Sequence, residues 1–134
     1  INSDSWVLLS ILYASEGKGA SLEKIISVGD GINHAIFLFE EMEGGLARLS
    51  AGKFVFQRGD KYFPTAKTIK YIKNNIKPKS RISTSRKMVE KFLNSAPWTA
   101  EVDPLKANER ISYKGINREV FERAVANYLS PPNK

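Results

Sequence analysis

The chain carries no cysteine and a single histidine, His34. Disulfides, thiolate metal sites and a cysteine nucleophile are thereby excluded, and His-based triads or zinc sites have little to draw on. The acidic candidates for proton transfer or metal binding are Glu40, Glu41 and Glu43. Positions 40 and 41 face different ways on a helix, and no His or Asp partner accompanies the three at a ligand spacing. Gly29-Asp30-Gly31 and Gly44-Gly45 lack the lysine and the spacing of a phosphate-binding loop. Arg58-Gly59-Asp60 spells an integrin tripeptide, but glycine between two short apolar runs reads simply as a turn. His34 beside Asn33 reads as a hydrogen-bonding residue at a helix start. An enzyme is not expected, and neither is a cofactor or metal.

What remains is charge. The 134 residues hold 21 Lys and Arg against 14 Asp and Glu, a net +7. The excess is local. Residues 1–52 carry three basic and seven acidic side chains, for −4. Residues 53–91 carry twelve basic and two acidic ones, for +10, and the remainder sums to +1. Clustered charge focuses a field, so the central block suits a polyanion partner better than a diffuse excess would. The competing reading is a solvated lysine-rich face kept for solubility.

Composition is that of a folded domain, 42% apolar and 26% charged. The longest strongly apolar run, residues 6–14, is far shorter than the roughly 20 residues a membrane span needs. No basic segment precedes it as in a secretory signal, and a cytoplasmic location with no membrane partner is the expectation.

The elements that must position the charge follow from periodicity. Ser3 and Asp4 can cap a first helix over about 5–15, which is apolar nearly all round and must be covered on several sides. Gly17 and Gly19 end it. Ser21 caps a short second helix with Leu22, Ile25 and Ile26 on one side, stopping at Gly29-Asp30-Gly31. Ile32, Ile36, Phe39, Met42, Leu46 and Leu49 predict one long third helix, kinked near its start. Gly44-Gly45 within it costs about 1 kcal/mol per glycine relative to alanine, offset by close approach of another helix. Gly52 takes the C-terminal glycine position. Residues 53–57 and 61–63 read as a hairpin about Arg58-Gly59-Asp60. Thr65 caps a fourth helix over 66–75, with Ile69, Ile72 and Ile76 on its apolar side and Lys67, Lys70, Lys73 and Lys77 beside them.

Residues 76–83, with Pro78, form the best boundary in the chain. A fifth helix follows over 84–95, bearing Met88, Val89, Phe92 and Leu93 on one side. Residues 96–116 show no sustained period; Asp103-Pro104 can start a single turn there, and Trp98 reads as a plug or a partner contact. Asn117 caps a last helix with Val120, Phe121, Ala124, Val125 and Tyr128 on one face.

This order, together with Leu46, Leu49, Gly52, Tyr62 and Thr65 within the stretch from Glu41 to Thr65, resembles the winged helix-turn-helix superfamily. The style is that of small bacterial MarR- or PadR-like regulators, and the resemblance covers residues 5–76. It implies a mainly α fold with a small β-hairpin. A winged helix-turn-helix domain would span 1–76 and a helical C-terminal extension 77–134, packed on the first domain or forming a dimer. It also implies DNA binding in transcriptional regulation, with the third helix in the major groove and the wing on the backbone.

The glutamates at the start of that helix make it a poor reading head, so the basic wing leads. The DNA-binding residues are then Lys53, Arg58, Lys61, Lys67, Lys70 and Lys73, continued by Lys77, Lys79, Arg81, Arg86, Lys87 and Lys91. Lysines contact phosphates without reading sequence. Tyr62 and Tyr71 can stack on a base or pack in the core. The alternative function is a protein-interaction module on the same scaffold. Extensions of this kind often pair subunits in such relatives, and a homodimer is the accompanying hypothesis.

Overall fold

The computed structural model describes residues 3–75, 82–95 and 113–130. The architecture is mainly helical with one small antiparallel sheet. Helix α1 (Ser3–Ser15) leads through the two-residue strand β1 (Ala20–Ser21) into α2 (Leu22–Asn33) and α3 (Phe39–Ala51). A hairpin of β2 (Val55–Arg58) and β3 (Lys61–Pro64) precedes α4 (Ala66–Asn75), α5 (Ile82–Ser95) and α6 (Arg118–Leu129). The sheet order is β1-β3-β2, with Ala20 opposite Tyr62 and Phe56 opposite Phe63.

Apolar residues all round α1 are explained by its place at the centre. It touches α2, α3, α5 and β3, and Val7, Leu8 and Ile11 are fully buried. The elements beyond residue 81 join the same core: Val89 and Leu93 of α5, Ile116, and Phe121 of α6. Tyr13 of α1 donates to Ser85 of α5, and Tyr128 of α6 donates to Asp30 of α2.

Two of the expected caps stand. Ser21 Oγ accepts from Lys24 N–H at 3.2 Å and Asn117 Oδ1 from Val120 N–H at 2.8 Å. Elsewhere the local reading is corrected. The second helix runs through Gly29 and Gly31 and ends only at Asn33, with His34 as a left-handed C-cap at φ 53°. His34 therefore leaves a helix rather than starting one. Gly29 serves packing: a Cβ there would collide with the Phe37 ring, which is stacked on Trp6 at 3.8 Å, while Trp6 Nε1 donates to the Gly29 carbonyl. The long third helix is two elements, because Ile32 belongs to α2 and Ile36 to the connection.

Gly52 is right-handed, and Lys53 takes the left-handed conformation at φ 62°. Glycine at 52 makes room for the Phe54 ring. The Thr65 hydroxyl turns back to the carbonyls of Lys53 and Phe54 instead of capping α4. In α4 Thr68 faces the core, Ile69 is exposed and Ile72 half-buried, and the α5 helix begins at Ile82. Pro78, Ile76, Lys77, Lys79, Arg81, Trp98 and Asp103-Pro104 lie outside the described residues.

Asp4 is not a free cap either. Its carboxylate takes both Arg48 Nε at 2.5 Å and Nη2 at 2.7 Å, and both side chains are buried. Beside this pair Gly45 lets α3 approach Val7 of α1, where a Cβ would sit 2.9 Å from a valine methyl. The close approach expected of the two glycines is thus made by Gly45, while Gly44 lies against the Arg48 guanidinium.

Removing one member strands the other charge in the core. Arg48→Met alone should cost about 3–5 kcal/mol in urea unfolding, and Asp4→Leu added to it should recover most of that. A single-variant loss under about 1 kcal/mol would place the pair with ordinary surface bridges.

Candidate nucleic-acid interface

The helix that the resemblance would lay in the major groove has little surface left. Nine of the thirteen residues of α3 are buried, Glu43 and Arg48 among them. Phe39 packs edge-on against Phe121 of α6 at 5.8 Å. Glu41 is spent on the helix start, accepting from Leu38 N–H at 2.8 Å. Glu40 is ion-paired with Arg118 of α6 at 2.6 Å, and that guanidinium also lies 4.8 Å from the Phe39 ring centre. The three glutamates do not form a set facing a common space. Among the described residues no group of acids or histidines could hold a metal ion, and no helix is long and apolar enough to cross a membrane.

The hairpin is the opposite case. Gly59, at φ 62°, turns the chain with open space around it, and Arg58, Gly59, Asp60 and Lys61 are all exposed. Register sorts the side chains. Gln57 opposite Tyr62 points inward, and Arg58 opposite Lys61 shares the outer face with Phe56 opposite Phe63. The inner face is tied down by the segment before α6. Tyr113 donates to Gln57 Oε1 at 2.7 Å, and the Tyr62 hydroxyl and Gln57 amide reach the Gly115 carbonyl at 3.5 Å.

All six nominated cations are exposed. Lys53 stands at the start of the hairpin, Arg58 and Lys61 at its tip, and Lys67, Lys70 and Lys73 along α4. Spacing puts Lys70 within a turn of both Lys67 and Lys73. Lys67 differs from the rest. Its ammonium donates to the Gly52 carbonyl at 2.6 Å and sits 4.3 Å over the Phe54 ring, holding α4 to the end of α3. None of the six makes an ion pair among the described residues. Further along, Lys87 and Lys91 of α5 are exposed and Arg86 is half-buried.

No protein-family model, curated protein or solved structure matches this chain.

Neither tyrosine offered for base stacking is free to do it. Tyr71 is stacked on Phe92 at 4.2 Å and donates to the Met88 carbonyl, and Tyr62 is buried. The sequence reading missed the aromatic pair on the outer face of the hairpin. Phe56 and Phe63 stack at 5.1 Å with 9° between planes, and Phe56 is 40% exposed. They open onto a groove of about 570 Å³ that Leu12, Ile69, Ile72 and Lys73 also line. The available signal was the consecutive apolar pair Val55-Phe56, which places apolar residues on both faces of one strand.

Burial, with Tyr113 and Asp60 adding to it, pushes the Tyr62 phenol well above its usual value of about 10. Burial shifts Tyr113 the same way. A phenol whose folded pKa is raised stabilises fully below the unfolded value and loses that contribution as pH climbs past it. Stability should therefore decline above about pH 10, by at most about 1.4 kcal/mol per pH unit for each phenol. Tyr62→Phe should flatten the decline in denaturant titrations between pH 9 and 11. An unchanged slope would remove Tyr62 as its source.

Proposed function

We propose that this chain is a winged helix-turn-helix module that binds the phosphate backbone of nucleic acid through its hairpin and α4. The order helix, short strand, helix, helix, hairpin, with strand order β1-β3-β2, supports the scaffold. One observation carries the function. Lys53, Arg58, Lys61, Lys70 and Lys73 are exposed without an ion pair among the described residues, and Asp60 is the only acid between positions 53 and 73. Unpaired cations concentrated on neighbouring elements gain most from a ligand that brings closely spaced negative charge. Transcriptional regulation is a narrower claim and belongs to this proposal as its DNA-binding form. With α3 consumed by the core, binding is led by backbone contacts rather than base readout.

Fluorescence anisotropy with a generic DNA duplex at two salt concentrations tests the reading. Five phosphate contacts would give a slope of log K against log salt of about −4.5. Arg58→Glu with Lys61→Glu should weaken binding at least tenfold and flatten the slope. Lys67→Gln should lower stability and leave the slope in place, since its ammonium is committed to Gly52. Failure to bind duplex or single strand at low salt would defeat the proposal.

A second reading, association through apolar surface, is favoured by a separate patch. Leu38 and Leu129 are each more than 60% exposed beside a groove of about 390 Å³ between the α2–α3 connection and α6. A second copy of the chain is the occupant in this reading. Light scattering at high concentration should give a dimer mass that Leu129→Asp reduces to the monomer. A monomer mass for the unaltered chain would end it.

A further inference from the structure

The outer face of the hairpin carries two chemistries together. Phe56 and Phe63 lie flat against one another, while Arg58 and Lys61, the next outward-facing register pair, sit toward the tip on the same face. Lys73 lines the far side of the groove that the aromatic pair opens onto. Rings with a cation on either side are the requirements of a single-stranded polynucleotide. Its bases stack on aromatic faces while its phosphates follow positive charge. A duplex buries its base faces and can use only the cations.

We infer that this face binds single-stranded nucleic acid, with a base stacked on Phe56 and the flanking phosphates on Arg58, Lys61 and Lys73. The inference rests on the backbone-binding function above and names its substrate class. Phe56 is the accessible ring of the pair, since Phe63 is half-buried and set against Gly19, where a Cβ would meet the ring at 2.5 Å. The Arg58 guanidinium lies 5.9 Å from the Phe56 ring centre, at the outer limit of a cation–π contact, so a base displaces it at little cost. Lys73 and Glu16 are the charged residues lining the groove. Glu16 lies on the α1 lip, which sends the phosphates along the hairpin and α4 side. The buried α3 fits this substrate, because stacking readout needs no helix in a groove.

An acidic peptide would answer the same cations but has no use for a flat ring pair, and this separates the two partners by experiment. The full chain is titrated in anisotropy with three 20-unit probes: oligothymidylate, an abasic strand of equal charge, and a duplex. Oligothymidylate should bind about tenfold tighter than the abasic strand and tighter than the duplex. Phe56→Ala should erase that advantage with the circular dichroism spectrum unchanged, and Phe56→Trp should restore it. Equal affinity for oligothymidylate and the abasic strand overturns the stacking while leaving backbone binding in place. Displacement of oligothymidylate by polyglutamate at equal charge concentration overturns it in favour of an acidic protein. Absence of binding to all three probes overturns this inference and the backbone-binding function together.

Discussion

Arg48 and Asp4 hold each other through two hydrogen bonds with neither charge in water, and that geometry commits α3 to the core. A buried ion pair offsets its desolvation only when the hydrogen bonds are well formed and the surroundings keep them so. Here the surroundings do. Gly45 brings α3 onto Val7, Gly44 leaves room for the guanidinium, and Met42, Leu46 and Leu49 of the same helix are fully buried. Asp4 also lies in the first turn of α1, where the helix dipole favours a negative charge. The same contacts that fasten α3 remove the surface it would need to read a groove. Most of the exposed positive charge is left to the elements that follow it.

Those elements were legible where the signals are local. Gly59 between two short aromatic runs marked the hairpin within a residue or two, and the helix over 66–75 matches α4 in both bounds. Ser21 and Asn117 were readable because a cap is decided within four residues. Several of the failures turn on partners far along the chain or on a coincidence of spacing. Gly29 and Gly31 look like a turn, yet α2 runs through both, and the Phe37 ring, eight residues on, shows why position 29 is glycine. The stripe from Ile32 to Leu49 spans two helices because the connection happened to keep the helical spacing. Nothing local marks Arg48 as a buried charge, since its partner lies 44 positions away.

The candidate site divides in the same way. Lysines at 67, 70 and 73 announce a basic helix, yet one of them is a clamp on Gly52 and differs from its neighbours only in what lies above it. Phe56 and Phe63 were visible as aromatic residues, but their pairing on one face requires the register of the hairpin. That register is set by the turn and by Tyr62 facing the core against Ala20 and Gly115.

A hairpin with one face anchored and the other apolar but open needs a reason to stay open. Gln57 and Tyr62 already hold the inner face through Tyr113 and Gly115, so the outer aromatic pair is not required to fix the hairpin in place. Leaving Phe56 40% exposed forgoes part of the roughly 1.5–3 kcal/mol that full burial of a Phe side chain would contribute. Two cations beside it raise the cost of covering it with the chain's own apolar residues, because their desolvation would have to be met as well. The arrangement is poor for folding and good for a ligand that carries both a planar ring and a negative charge. In the proposed function that asymmetry, more than the number of lysines, is what would separate this face from a basic surface kept only for contact with water.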